Sequence, residues 1–156
     1  MAGDDYYQTA IAMHEAGAML VQEQPRAACY LLGYVCECVL KEAAFAALKA
    51  QGKSEQEAID SLRQVSHDLT RLITLHATLA LSPSARLGRG VSLHRLAPRM
   101  SALLPGPLPS AKKVQHWHPE HRYDGHRWDA QAALDYADEA RALLKTLIGL
   151  KLDGAL

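Results

Sequence analysis

Histidine, arginine and tryptophan crowd into one stretch, His116-Trp117-His118-Pro119-Glu120-His121-Arg122-Tyr123-Asp124-Gly125-His126-Arg127-Trp128. Four of the chain's eight histidines and both tryptophans fall there, so this is where a small helical protein would keep its chemistry. Imidazole titrates near neutrality and also ligates metals, which leaves two chemistries open. His116, His118 and His121, with His126 nearby, could give zinc three ligands and leave the fourth position to water. The run lacks the fixed Cys-x-x-Cys or His-x-x-x-His spacing of such centres, and the neighbouring arginines repel a dication, so no metal or cofactor is expected. The other chemistry pairs Arg122 with His126. A guanidinium can hold a phosphodiester while an imidazole moves the proton in attack by a ribose 2′-hydroxyl, which cleaves RNA without metal. Spacing alone is weak support, because Arg71–His76, Arg89–His94 and Arg63–His67 are similarly placed.

Other catalytic patterns fail on inspection. No pair of Glu-x-x-His segments exists to hold two irons in a bundle. Gly88-Arg89-Gly90 falls far short of a phosphate-binding loop. Cys29, Cys36 and Cys38 sit in an apolar helical run, where thiols are usually inert packing. Their odd number also argues against a disulfide framework.

The elements that must position the histidine-rich stretch read as helices. Residues 4–22 form the first, capped by Asp4 or Asp5, with Tyr7, Ala10, Ile11, His14, Ala18 and Val21 at helical spacing. His14 reads as a satisfied core histidine. Pro25 opens a second helix that runs to Gln51 and stops at Gly52. Its wide apolar face, with Ala27, Ala28, Gly33, Ala43 and Ala46, predicts the central, most buried helix. Glu37 lies between two cysteines in that run, so it is expected to be buried and to need a cation: Lys41 one turn on, or an arginine from elsewhere. Ser54-Glu55-Gln56-Glu57 is a capping-box pattern for a third helical stretch, either one long helix or two with Ser66 starting the second. From Ser82 to Gln115 the order loosens into turns, a short helix within 93–104 and a stiff Pro105–Pro109 linker. Asp129 caps a last helix striped by Ala133, Ala137, Ala140, Leu144, Leu147 and Ile148. No strand pattern occurs. The fold class is all-α: an up-and-down bundle of four long helices plus a short helix and an irregular excursion before the last helix.

At 156 residues the chain is expected to be one domain, able to bury a core without staples. No apolar run approaches the roughly 20 residues needed to span a bilayer. The acidic N-terminus carries no signal sequence and the cysteines suit a reducing compartment, so a cytoplasmic location is expected. A net charge of zero hides an uneven distribution. Residues 1–60 carry four basic and nine acidic side chains, whereas residues 61–128 carry ten basic and three acidic. The middle of the chain is thus a candidate surface for phosphates, against the plainer reading of a solvated loop.

Tyr30-Leu31-Leu32-Gly33-Tyr34-Val35-Cys36-Glu37-Cys38-Val39-Leu40-Lys41, then His67-Asp68-Leu69 through Leu72, then Arg122-Tyr123 before an Ala-rich last helix, resemble the HEPN domain family. The resemblance runs from about Arg26 onward, and the Leu-x-Gly-Tyr-x-x-Glu-x-x-Leu-Lys segment is its most specific part. It implies a single HEPN-like helical domain over 1–156, commonly a homodimer, that binds nucleotides or RNA. Many members work beside a small nucleotidyltransferase as a toxin–antitoxin pair, and some are metal-independent ribonucleases. Those carry Arg, four to six residues, then His; Arg122 and His126 match by position but leave only three residues between them. The resemblance therefore makes Arg122 and His126 the catalytic candidates and Arg122, Tyr123, Arg127, His121 and His67 the ligand-binding ones. Glu37 and Lys41 take structural roles, with Arg122 able either to hold phosphate or to partner Glu37. Two other classes remain: a non-catalytic dimeric module that binds a nucleotidyltransferase, and a histidine-based metal-dependent hydrolase.

Overall fold

The computed structural model describes residues 5–72, 74–75, 114, 117–123 and 128–152. All regular structure among them is helical. The first helix, α1 (Tyr6–Leu20), is shorter at both ends than its apolar pattern suggests. Asp5 caps it, its carboxylate accepting the Gln8 N–H at 2.9 Å. The second, α2 (Pro25–Ala50), begins with proline in its first turn and ends at Gln51, after which Gly52 takes a φ of +86°. Fifteen of its 26 residues are buried, and it touches every other described helix, which makes it the central one. Close approach depends on glycine at two points. A Cβ on Gly17 would come within 2.9 Å of Leu32, and one on Gly33 would overlap the indole of Trp117.

The third helix, α3 (Glu55–Val65), opens with the expected reciprocal box: the Glu57 N–H donates to Ser54 Oγ and the Ser54 N–H donates to the Glu57 carboxylate. It then stops. Ser66 does not start the next helix but terminates this one, with a φ of +55°, a left-handed conformation costly for a residue with a Cβ. Helical structure resumes at residues 69–72 and 74–75, capped by Asp68, whose carboxylate accepts the Arg71 N–H at 3.0 Å. Of the two alternatives, the stretch is thus two helical pieces rather than one long helix.

Pro119–Arg122 forms a single 3-10 turn against α2. The last helix, α4 (Ala130–Leu152), is capped by Asp129, which accepts the Ala132 N–H at 2.8 Å. Its far end is tied to α2 by Lys151 and Glu42 at 2.6 Å. Buried side chains from all these elements, including Leu69, Leu72, Val114, Trp117 and Trp128, make one apolar cluster. No described helix is long and apolar enough to cross a membrane. The turn signals, the short helix within 93–104 and the Pro105–Pro109 linker lie outside the described residues.

Candidate functional site

Arg26 opens the site, because it stands in the first turn of α2 and reaches across to the 3-10 turn. Its guanidinium donates to the carbonyl oxygens of Arg122 at 2.7 Å and His121 at 3.4 Å. Those bonds tie residues some 95 positions apart and fix where Arg122 stands. The Arg122 guanidinium lies over the rings of Tyr30 at 5.2 Å and Tyr123 at 5.4 Å. A cation against two aromatic faces is held in place yet keeps its edge N–H groups for an anion. Around them is an open cavity of about 500 Å³, lined by Gln24, Arg26, Ala27, Tyr30, Leu31, Arg122 and Trp128. Tyr123 is 79% exposed, so one aromatic platform faces solvent. Trp128 is instead a buried wall, with its ring 6.4 Å from that of Tyr136.

A second cluster lies about three turns beyond Arg26 on α2. Glu37 is buried, as expected, but its partner is not Arg122. Lys41 Nζ sits 2.6 Å from Glu37 Oε1, and His67 Nδ1 sits 3.0 Å from both carboxylate oxygens. Arg122 is occupied by the tyrosine rings instead, so the loop is fastened to α2 through Arg26 and through Trp117. The left-handed turn at Ser66 reverses the chain after α3 and brings His67 back to Glu37. A carboxylate only accepts, so Nδ1 of His67 carries a proton toward Glu37, and in the neutral form of the ring Nε2 then holds the lone pair. Burial, followed by contact with Tyr30, pushes the Tyr34 phenol well above its ordinary range, so it stays neutral beside this group.

Rings connect the two clusters. Tyr34 meets Tyr30 at 5.2 Å, Trp117 at 4.8 Å and His67 at 5.9 Å. His67 meets His118 at 6.2 Å, His118 meets His121 at 6.2 Å, and His121 meets Trp128 at 5.9 Å. Among the described residues, no three His, Cys, Asp or Glu side chains are placed to hold a metal ion. The three cysteines are buried, and burial pushes the Cys36 thiol well up, which leaves it protonated packing. His14 departs from expectation: its buried Nε2 finds no hydrogen-bond partner among the described residues. Burial, and then Arg141, lowers its pKa, so it stays neutral beside a cavity of about 420 Å³ between α1 and α4.

The sequence-predicted residues thus divide. Arg122 lines the pocket and lies over the Tyr123 ring, while His121 meets the pocket wall at Trp128. His67 joins Glu37 and Lys41 rather than the pocket. His126 and Arg127, like His116, lie outside the described residues. Arg26, Gln24 and Tyr30 were missed as site residues; only the helix-start position of Arg26, beside a proline, marked it in the sequence. The chain matches no protein-family model, no curated protein and no solved structure.

Proposed function

We propose that this chain is a HEPN-like, up-and-down four-helix protein that binds a nucleotide or RNA at the Arg26–Arg122 pocket. One observation carries the reading: Arg26 fixes Arg122 through its main-chain carbonyl, and the Arg122 guanidinium lies against the rings of both Tyr30 and Tyr123. A fixed guanidinium suits a phosphate, and an exposed tyrosine ring beside it suits a base. The excess of basic side chains over residues 61–128 supports the same polarity of ligand. Metal-independent ribonuclease activity of toxin–antitoxin type belongs to this proposal, as do a cytoplasmic homodimer and a small nucleotidyltransferase partner. Light scattering, and co-purification with the product of a neighbouring reading frame, test those last two.

Binding of fluorescent single-stranded RNA, and of nucleotides as competitors, tests the pocket directly. Arg26→Ala and Arg122→Ala should each weaken RNA binding by about tenfold and reduce the salt dependence of log K by roughly the equivalent of one phosphate contact. Arg122→Lys keeps the charge but loses the planar stack, and should recover only part of the affinity. Unchanged affinity in the Arg26→Ala, Arg122→Ala double variant refutes the site.

A further inference from the structure

We infer that His67 and His118 form the proton-transfer pair of a phosphodiester-cleaving site, acting on single-stranded RNA anchored at the neighbouring Arg122. The inference deepens the nucleic-acid reading above and rests on it. It starts from Glu37, a carboxylate only 3% exposed that spends both oxygens on one imidazole. Such a contact fixes the ring and puts a proton on Nδ1, so that the neutral form of His67 is the tautomer whose Nε2 has the lone pair a general base needs. Lys41 shares the same carboxylate at 2.6 Å, so the negative charge is compensated without leaving its buried seat.

His118 faces it from the other side of the site. The two rings meet edge to face, with centroids 6.2 Å apart and planes at 88°. His118 caps the 3-10 turn: in the neutral ring its Nδ1 accepts the Glu120 N–H at 3.3 Å, and on protonation Nδ1 gives up that bond and turns to the Glu120 carboxylate, 3.9 Å away. Both imidazoles are reachable, at 38% and 40% side-chain exposure, unlike the carboxylate behind them. Arg122 ends the same 3-10 turn, so the anchoring guanidinium and the second imidazole ride on one short, Arg26-pinned unit. A strand held by Arg122 at one phosphate passes the two histidines at a neighbouring one.

The chemistry closes without metal or co-reactant. The ribose 2′ oxygen attacks phosphorus, and its proton passes to Nε2 of His67. As the 2′-O–P bond forms, the bond from phosphorus to the 5′ oxygen breaks, and that oxygen takes a proton from the His118 imidazolium. The products are a 2′,3′-cyclic phosphate and a 5′-hydroxyl. Exchange with water then returns both imidazoles to their starting states. The groups that face the pair are Glu37, Lys41 and Tyr34 on α2, with Glu120 and His121 on the turn.

The test uses the full chain with end-labelled single-stranded RNA in EDTA. His67→Gln keeps a donor for Glu37, and His118→Ala removes a half-exposed ring, so both should keep the wild-type melting midpoint within a few degrees. Each should lower the cleavage rate about a hundredfold or more while leaving RNA affinity within twofold, and each should remove one limb of a bell-shaped pH–rate profile. RNA carrying a single 2′-deoxyribose at the cleavage position should bind and stay intact. Wild-type cleavage by either variant, cutting of the deoxy-substituted strand, or binding without cleavage by the wild type overturns the inference and leaves the pocket standing. Cleavage lost in His126→Ala but retained in both other variants overturns it in favour of the Arg122–His126 pair. Absence of RNA binding removes the pocket reading and this one with it.

Discussion

A carboxylate inside an apolar helix must find a cation, and Glu37 finds Lys41 on its own helix and His67 thirty residues away. Breaking a buried pair costs more than forming it returns, because the surviving charge stays buried without compensation. Glu37→Gln should therefore lower stability by about 3 kcal/mol in urea titrations. Arg122→Ala should change it by less than about 1 kcal/mol, since Arg122 lies on the exposed side of Tyr30. The reverse order of effects would restore Arg122 as the partner of Glu37. Burial of Glu37 was readable from its place between Cys36 and Cys38, and Lys41 from the i,i+4 spacing. His67 was not readable as its partner, because the contact depends on a left-handed Ser66 that no residue preference announces.

At the scale of elements, the helix ends were the most legible part. Asp5, Pro25, Gly52, the Ser54–Glu57 box and Asp129 all act where their residue types suggest, since capping is a local hydrogen-bonding problem. The packing of one element on another was not. Gly33 reads as one of several small residues on α2, yet its function is specific: the Trp117 indole rests on its Cα. Gly33→Ala should destabilise by about 2 kcal/mol through overpacking. In a Trp117→Ala background the same change should become neutral or stabilising by up to about 1 kcal/mol, since alanine is the better helix former. A double-mutant cycle measures that change of sign, and additive losses would show that Trp117 does not occupy this seat.

For the whole molecule, the carboxyl of Glu139 makes stability depend on pH near neutrality. Glu139 of α4 has a buried Oε2 without a hydrogen-bond partner among the described residues. Burial, and then Asp135, raises its pKa to about 7 from an ordinary 4.5. The folded state thus holds a proton that the unfolded chain releases, so the Glu139 contribution to stability is greatest below about 4.5, falls as pH rises to about 7, and then levels. Partial exposure limits the span to on the order of 1–2 kcal/mol. Melting midpoints of the wild type should show that decline against Glu139→Gln, which removes it. Equal slopes in the two proteins would place Glu139 in water. The imidazole row and the Arg26 pocket belong to this scale too, because the first joins the turn after α3, and the second the start of α2, to the segment before α4.

By itself the sequence determined the helical class of the described residues, their caps, the central place of α2 and the burial of Glu37. Each of these follows from periodicity or from interactions within a few residues. Tertiary structure alone decided that Arg26 fixes Arg122, that Arg122 stacks on Tyr30, and that His67 turns back to Glu37 and faces His118. Those contacts join side chains 30 to 96 positions apart. Their geometry is set by a left-handed serine, a glycine seat for Trp117 and one 3-10 turn, which carry no periodic signal. The histidine-rich stretch was visible as a cluster of residues; which of its histidines meets His67 was a matter of packing.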